Sequence, residues 1–387
     1  MLALRCARLL PGERLPPVER AILLLDGGKV VAVGSDDAPG RSLPRLVDLG
    51  DVTLMPGLVD AHVHLCFDDD HPLGPVDADD ADVLAVMHAN AVRQLQAGVT
   101  TVRDLGDARF LGVELRRRYA AGHLVGPHLL AAGPPVTPAG GHCSFLGGEA
   151  DGLHGVRAAV AERARRGCDV VKIMATGGFS TPGIPPDASQ YGPSELSAAA
   201  QDAHGQGLPL AAHAHGRQGI VDSLAAGADT IEHCSFVAGD RVHVDWTVVD
   251  QLAEAGVHVG MTVALHPDAP PTDALSRHVG EVLENMARMH RAGVRIVASS
   301  DAGTSPWRPH GVLPHAVLML ASHGVSPADA IDAATGVAAD ACGLGHRKGR
   351  IAPGYDADLL GVEGDPLRDI EAILAVRVVY RAGVRWR

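Results

Sequence analysis

Residues 56–64 read Pro-Gly-Leu-Val-Asp-Ala-His-Val-His, a short apolar run that ends in two histidines with one residue between them. In an extended strand, side chains i and i+2 lie on the same face, so His62 and His64 can both point at one metal ion. Two ordinary histidines at the end of a strand would show the same spacing. Whether the pair binds metal therefore depends on whether the rest of the chain supplies further ligands at matching positions.

The composition is that of a large globular protein, since 46% of the 387 residues are hydrophobic and 20% are charged. The net charge of −13 argues against nucleic acid or an anionic membrane as a partner, because affinity for either depends mainly on Lys and Arg. We expect a small-molecule substrate, and the sequence leaves a homo-oligomer open.

The six cysteines are scattered and include no Cys-x-x-Cys pair, which predicts reduced, buried thiols and neither a disulfide framework nor a thiolate zinc site. The first residues lack the pattern of a signal peptide, and no apolar stretch is long enough to span a membrane. We expect a cytoplasmic protein.

From residue 56 to residue 344 the chain repeats one pattern, an Ala-rich amphipathic helix, a glycine that ends the helix and a short apolar strand. The predicted strands are Leu54–Asp60, Val99–Leu105, His128–Gly133, Asp169–Ala175, Leu208–His213, Asp229–His233, Val257–Val263 and Arg295–Ser300. Eight strand-helix units indicate an α/β protein with a closed (β/α)8 TIM-like barrel. An open doubly wound sheet is the alternative, and it is disfavoured because no Gly-x-Gly-x-x-Gly turn follows a strand.

The two ends of the chain show β patterns instead. Short apolar runs alternate with turn signals such as Asp26-Gly27-Gly28 near the start, and β patterns return after residue 345. Since residues 1–55 cannot bury a sheet alone, we predict that residues 1–55 and 345–387 pair into one small β-sandwich domain. Residues 56–344 would form the barrel.

Functional residues of such a barrel lie at the carboxyl ends of the strands. Lys172 lies in an apolar strand, where an ammonium group is costly to bury unless it is paired or modified. Each candidate alone could be an ordinary buried polar residue, but together they predict a metal centre. The candidates at or near the predicted strand ends are His62, His64, His213, His233 and Asp301, with Lys172 inside the fourth strand.

These motifs resemble the amidohydrolase superfamily over nearly the full length of the chain. Within it, the chain is most similar to the imidazolonepropionase-related branch that contains Xaa-Pro and Xaa-Arg dipeptidases (prolidases). The motifs are the opening run at 56–64, Thr-Thr-Val-Arg-Asp at 100–104, Lys-Ile-Met-Ala-Thr-Gly-Gly at 172–178, Ala-His-Ala-His-Gly at 212–216, Ile-Glu-His at 231–233, Ser-Ser-Asp-Ala-Gly at 299–303 and Gly-Tyr-Asp-Ala-Asp-Leu at 354–359.

The resemblance implies that Lys172 is carboxylated and that its carbamate bridges two divalent ions, usually zinc. The more buried ion would be held by His62, His64 and Asp301, and the other by His213 and His233. A hydroxide between the two ions would attack the substrate carbonyl. Asp301 would take its proton and pass it to the leaving amine.

The resemblance and the positions of the loops together suggest residues around the substrate. His142 matches a position where a histidine stabilises the substrate carbonyl or carboxylate, although a plain loop histidine is the alternative. His215 stands where many relatives have tyrosine. Gly177 can allow close approach of backbone to a ligand, although a plain turn is the alternative. Gln190 and Tyr191, in the loop after the fourth strand, are expected to line the pocket.

Other charged residues have simpler expected roles. Arg103 and Asp104 are predicted to form a structural ion pair. Arg217, Arg308 and His142 are unranked candidates for binding a substrate carboxylate. The acidic loop around His71 is expected to be a solvated lid, and the loops at 66–82, 134–150, 176–193 and 264–280 are expected to shape the pocket.

The sequence favours a metal-dependent hydrolase that cleaves an amide or peptide C–N bond in a dipeptide, an N-acyl amino acid or a related small amide. A deaminase of the same superfamily is disfavoured, because Lys172 is present and Gly216 stands where deaminases carry a catalytic glutamate. A lactonase or cyclic-amide hydrolase stays open, since the same site attacks any activated carbonyl. A non-catalytic barrel protein would be expected to lack ligands, and none is missing.

Overall fold

The computed structural model describes residues 1–13, 15–35, 45–68, 78–270 and 278–387. The chain begins with five strands, and the turn at residues 26–28 joins the second and third of them as an antiparallel hairpin, as predicted. The strands are β1 (Leu2–Leu9), β2 (Val18–Asp26), β3 (Lys29–Ser35), β4 (Arg45–Asp48) and β5 (Val52–Pro56).

Strands and helices then alternate. The glycines at 167, 227 and 256 adopt left-handed conformations and end the third, fifth and sixth helices, as the sequence pattern predicted. The elements are β6 (Leu58–Val63), α1 (Asp80–Gln96), β7 (Val99–Asp104), α2 (Leu111–Ala120), β8 (His128–Ala131), α3 (Gly152–Arg166), β9 (Val171–Met174), α4 (Pro193–Gly205), β10 (Leu210–Ala214), α5 (Arg217–Ala226), β11 (Thr230–His233), β12 (Val237–Ala238), β13 (Arg241–Val242), α6 (Trp246–Ala255), β14 (His258–Met261), α7 (Val279–Arg291), β15 (Arg295–Ala298), α8 (Leu313–Ser322), α9 (Pro327–Ala333) and α10 (Gly336–Ala341).

Eight of these strands form the barrel. Strands β6, β7 and β8 pair in parallel, and so do β9, β10, β11, β14 and β15. Backbone hydrogen bonds close both seams. The amide of Val136 donates to the carbonyl of Lys172 (2.8 Å), and the amide of Asp301 donates to the carbonyl of His62 (2.8 Å). Residues of the predicted metal centre therefore lie in the backbone seams of the barrel.

The chain ends with β16 (Leu359–Glu363), β17 (Val376–Arg381) and β18 (Val384–Arg385). These strands join the first five in one sheet of order β18-β17-β16-β5-β1-β2-β3, with β4 beside β1. The sheet has its own apolar core, which includes Leu4, Leu23 and Leu359. The predicted fold, a barrel with a small β domain built from both chain ends, is confirmed. The exact domain boundaries stay a prediction.

The predicted bounds of the first barrel strand, Leu54–Asp60, were wrong. The predicted strand merges the end of β5, which belongs to the small sheet, with the start of β6. The two strands separate at Gly57, whose amide donates to the carbonyl of Asp358 (2.9 Å). A Cβ atom on Gly57 would lie 2.2 Å from Thr100 Oγ1, so the close approach of β7 requires glycine. A continuous apolar run hides this break from sequence reasoning.

All six cysteines are free and buried, as predicted. Among the described helices, none has the length and the apolar character that crossing a membrane would require.

Candidate active site

A cavity of about 850 Å³ opens at the carboxyl ends of the barrel strands. The strands bring together all the residues that the sequence predicted as metal ligands, with two further histidines from the loops after β8 and β10. These residues, all on the cavity wall, are His62, His64, His142, Lys172, His213, His215, His233 and Asp301. The six predicted ligands and His142 and His215 therefore share one site.

The first triad consists of His62, His64 and Asp301. The Nε2 atoms of the two histidines lie 3.5 and 3.4 Å from the same carboxylate oxygen, Oδ1 of Asp301. The other ring nitrogens are held elsewhere, because Nδ1 of His62 bonds to Glu232 Oε2 (3.0 Å) and Nδ1 of His64 bonds to the carbonyl of Gly106 (2.9 Å). Such partners fix the ring and leave Nε2 for a metal ion.

Asp301 itself adopts a left-handed backbone conformation, with a φ of 54°. Residues other than glycine rarely adopt this conformation, and it costs free energy that is typically accepted at functional sites. Burial raises the pKa of the Asp301 carboxyl, but His62, His64 and Arg308 outweigh this effect and hold the pKa below its ordinary value. The carboxylate is therefore ionised.

The second triad consists of His213, His215 and His233. Their available ligand atoms lie within 4.8 Å of one another. Nε2 of His213 bonds to the carbonyl of Gly177 (2.8 Å), and Nδ1 of His233 bonds to Thr262 Oγ1 (2.6 Å). Burial lowers the pKa of all three imidazoles, and that of His215 falls to about 3. The triad is thus uncharged, with one lone-pair nitrogen for each ring.

His215 belongs to this second triad by its position. The sequence assigned it to substrate binding, whereas its ring stacks on His233 with 4.4 Å between the centroids. Its Nδ1 bonds to Ser235 Oγ (2.8 Å), which leaves Nε2 as a possible third donor for an ion.

Lys172 lies in β9 with 1% of its surface exposed, and its Nζ atom has no hydrogen-bond partner among the described residues. Burial lowers the pKa of this amine to about 8. An unpartnered amine in the interior costs free energy. Lys172 is therefore a candidate for binding a ligand or for carrying a modification.

Arg103 does not pair with Asp104, so that prediction was wrong. Its Nη2 bonds to Glu232 Oε1 (2.9 Å), and its Nε donates to the carbonyl of Ala61 (2.7 Å). Arg103 and Asp104 are neighbours in a strand, so their side chains point to opposite faces. The Asp104 carboxylate instead accepts hydrogen bonds from the backbone amides of Leu65 and Gly106.

Glu232 is the functional residue that sequence reasoning missed. It is fully buried and joins Arg103 to His62. Burial raises its pKa, but the Arg103 charge and the His62 hydrogen bond outweigh burial and hold the pKa below its ordinary value. The sequence did contain a signal for Glu232, because Glu232, like Lys172, is a charged residue inside an apolar strand.

The two arginine candidates for a substrate carboxylate differ sharply. Arg308 lines the cavity, is 5% exposed, and its Nη1 bonds to Asp301 Oδ2 (2.8 Å). Arg217 lies at the surface in a pair with Asp245. The structure therefore leaves Arg308 as the relevant cation.

The remaining predicted substrate contacts are placed differently. His142 lines the cavity and is held by Thr181 Oγ1 (2.9 Å). Gly177, Gln190 and Tyr191 do not line the described part of the cavity wall.

The polar groups of Gln190 and Tyr191 bond to the backbone instead, and the carbonyl of Gly177 bonds to His213. Gln190 bridges the carbonyls of Met174 and Thr176, and the hydroxyl of Tyr191 donates to the carbonyl of Ala150. The geometry therefore gives no support to their assignment as substrate contacts. The sequence suggested Gln190 and Tyr191 because they follow β9, and Gly177 because glycine allows close approach of backbone to a ligand.

The predicted pocket loops contribute Phe67, Cys143, Phe179 and Ser180 to the wall. The parts of these loops at 69–77, which include His71, and at 271–277 lie outside the described residues.

Comparison with known proteins gives consistent findings. Residues 53–385 match the model of the Amidohydrolase family. Ochratoxinase from Aspergillus niger is 30% identical, over 97% of this chain and 84% of its own length. Imidazolonepropionase from Deinococcus deserti is 25% identical, over 96% and 94%. The crystal structure of a Xaa-Pro dipeptidase with bound methionine in the active site has a TM-score of 0.88 and 26% identity, over 100% of this chain and 99% of the dipeptidase.

Proposed function

This chain belongs to the amidohydrolase family, and on that premise we propose that it binds two zinc ions and hydrolyses the amide bond of an N-acyl amino acid or a dipeptide. The family and its relatives confirm the resemblance found in the motifs, and the protein is an enzyme that hydrolyses carbon–nitrogen bonds. One observation carries the finer proposal. Two triads of ligand-type side chains face the same cavity as a buried lysine that has no hydrogen-bond partner among the described residues.

The residues present fit two divalent ions. Imidazole nitrogen and carboxylate oxygen are donors that zinc prefers, and each triad offers three. The first triad carries a negative charge on Asp301, but the second carries none. Carboxylation of Lys172 would turn its buried amine into an anionic carbamate with two oxygens, which supplies that charge and gives the lysine partners.

Two ions bound there would supply an activated water as nucleophile and would polarise the scissile carbonyl. Asp301 is placed to accept the proton of that water, because its carboxylate is ionised and lies on the cavity wall. The water oxygen forms a bond to the carbonyl carbon, the C–N bond breaks, and Asp301 returns the proton to the departing nitrogen. The products are a carboxylic acid and an amine.

Arg308 supports an amino acid as the amine half of the substrate. Among the described residues of the wall, the charged ones are Lys172, Asp301 and Arg308. With Lys172 carboxylated, Arg308 is the cation, and guanidinium groups bind carboxylates strongly. It lies beside Asp301, the proton donor to the leaving amine. The similar Xaa-Pro dipeptidase holds a methionine in its active site, which agrees with an amino acid in this position.

The first experiment measures metal content and hydrolysis. We expect two zinc equivalents per chain and turnover of N-acyl amino acids or dipeptides. A single equivalent together with release of ammonia from an aminated ring would instead indicate a deaminase. Turnover of lactones alone would contradict amide hydrolysis as the proposed activity.

Arg308→Gln tests the carboxylate contact. Loss of a charge-assisted contact of about 1.5–3 kcal/mol should raise KM for an N-acyl amino acid about 10-fold to 100-fold. The same compound with a carboxamide in place of the carboxylate should show no such rise. The matched control is Arg217→Gln, which alters an exposed arginine paired with Asp245 and should change neither KM. An equal effect on both compounds would contradict a role in carboxylate binding.

A further inference from the structure

Phenylalanine is rare in this chain but concentrated at the cavity. The sequence holds five in 387 residues. Phe67 and Phe179 line the wall, and the ring of Phe145 lies 6.1 Å from that of Phe67. Phe179 keeps 37% of its surface exposed, although covering such a ring is favourable. The site therefore presents aromatic surface that a ligand can cover.

A wall of valines continues this apolar surface. Val237 comes from β12, Val263 follows β14, and Val279 and Val282 lie in the first turn of α7. The charged residues of the described wall belong instead to the metal centre and Arg308. The cavity thus has a charged part and an apolar part, as is usual for sites that orient a ligand by a few polar contacts.

Two contacts relate these parts to the two triads. The ring of Phe179 meets His215 edge to face, with 5.0 Å between the centroids, so Phe179 adjoins the second triad. Arg308 bonds to Asp301 (2.8 Å) and so adjoins the first triad. Because Asp301 returns the proton to the leaving nitrogen, the amine half of the substrate faces Arg308. The acyl half then faces Phe179.

We propose that the preferred substrate is an N-acyl amino acid whose acyl group is aromatic, and that this ring packs against Phe179 and the valine wall. The inference rests on the proposed function and adds the chemical class of the acyl half. Phe67 is 1% exposed and serves as packing. Phe179 is the residue that determines specificity, since it is both exposed and on the wall.

The test compares N-benzoyl-L-alanine with N-acetyl-L-alanine, which share the same amine half. The zinc-loaded wild type should show a kcat/KM at least about tenfold higher for the benzoyl compound. Phe179→Ala should lose about tenfold on the benzoyl compound and change little on the acetyl compound, and Phe179→Tyr should retain the preference. The control is Val125→Ala, an apolar residue 54% exposed in the loop before β8, which should change neither value.

Equal turnover of the two compounds by the wild type, or a benzoyl preference that survives in Phe179→Ala, would overturn the proposal and leave amide hydrolysis intact. If the wild type hydrolyses neither compound, the proposed function fails for this substrate class, and the aromatic subsite is judged by binding alone. Calorimetry with benzoate and acetate should then show benzoate about tenfold tighter on the wild type than on Phe179→Ala. Equal benzoate affinities would overturn the subsite.

Discussion

The two triads at the barrel mouth contain similar ligand types but differ in charge and in what supports them. The first triad includes the Asp301 carboxylate, which is bonded to Arg308, and His62 is held by Glu232, itself paired with Arg103. The second triad has three imidazoles, and its supports are the neutral groups of Gly177, Ser235 and Thr262. A buried cation needs compensating negative charge. The first triad supplies its own, and the second depends on another anion.

That difference explains the position of Lys172. An amine buried without a hydrogen-bond partner is a liability in most proteins. Here its cavity also holds a triad that lacks an anion. The proposed carboxylation would solve both problems in one step, since it would create the charge and give the side chain ligands. On this argument the second ion is the one that depends on Lys172.

The largest effect is expected from Lys172→Ala, which removes the proposed carbamate. Metal content should fall from two zinc equivalents to one or fewer, and kcat should fall about a thousandfold or more, because metal activation contributes several kcal/mol. Metal analysis of the purified protein and steady-state kinetics measure the two effects.

Lys172→Met keeps most of the side-chain volume and separates the loss of the carbamate from the loss of packing. Lys29→Ala is the control, since Lys29 is a partly exposed lysine paired with Asp356 in the small domain. It should retain both ions and full activity. Two ions and full activity in both Lys172 variants would refute the carbamate.

An intermediate effect is expected from Glu232→Gln, which removes the charged support of the first triad but keeps its shape. Loss of an orienting carboxylate typically lowers metal affinity about 10-fold to 100-fold, so the first ion should weaken by that factor. Arg103 would also keep a buried charge without its partner, which costs about 3–5 kcal/mol of stability. Zinc competition against a chelator and thermal unfolding measure the two effects.

Glu363→Gln gives a matched control for that experiment. Glu363 also pairs with an arginine, Arg377 (3.1 Å), but both side chains are more than half exposed. Neither zinc affinity nor the unfolding temperature should change. If Glu232→Gln behaved like this control, the link from Arg103 to His62 would have no role in metal binding.

The contrast between Lys172 and Glu232 also shows what sequence reasoning can reach. The repeated helix, glycine and strand pattern predicted the barrel, and the strand ends then predicted which polar residues meet. Both inferences rely on local signals. Which distant residues touch depends on register and strand order, so the pairing of Arg103 with Glu232, 129 residues away, was not visible. The pairing with Asp104 was expected from proximity in sequence alone.

Loops set a second limit on what the sequence can predict. The loop after β9 contains Phe179, Gln190 and Tyr191. Nothing local in the sequence distinguishes a side chain that bonds to the backbone from one that lines the cavity. The aromatic count could have drawn attention to Phe179. Its contact with His215 depends on how the loop folds back over the barrel, which the pattern of apolar residues does not specify.

The smallest effect is expected from Thr262→Val, which removes a neutral support of the second triad. The hydroxyl of Thr262 lies 2.6 Å from Nδ1 of His233, and valine keeps the shape without a hydrogen-bonding group. A neutral hydrogen bond contributes about 0.5–1.5 kcal/mol, so affinity for the second ion should fall only about two- to tenfold. Zinc competition on the two-ion form measures this, and Thr247→Val, at an exposed threonine in α6, should have no effect.

A loss as large as that of Glu232→Gln on the first ion would mean that neutral and charged supports are equivalent. The second ion would then be fixed by how its histidines are oriented, and charge supplied through Lys172 would not be what distinguishes the two triads.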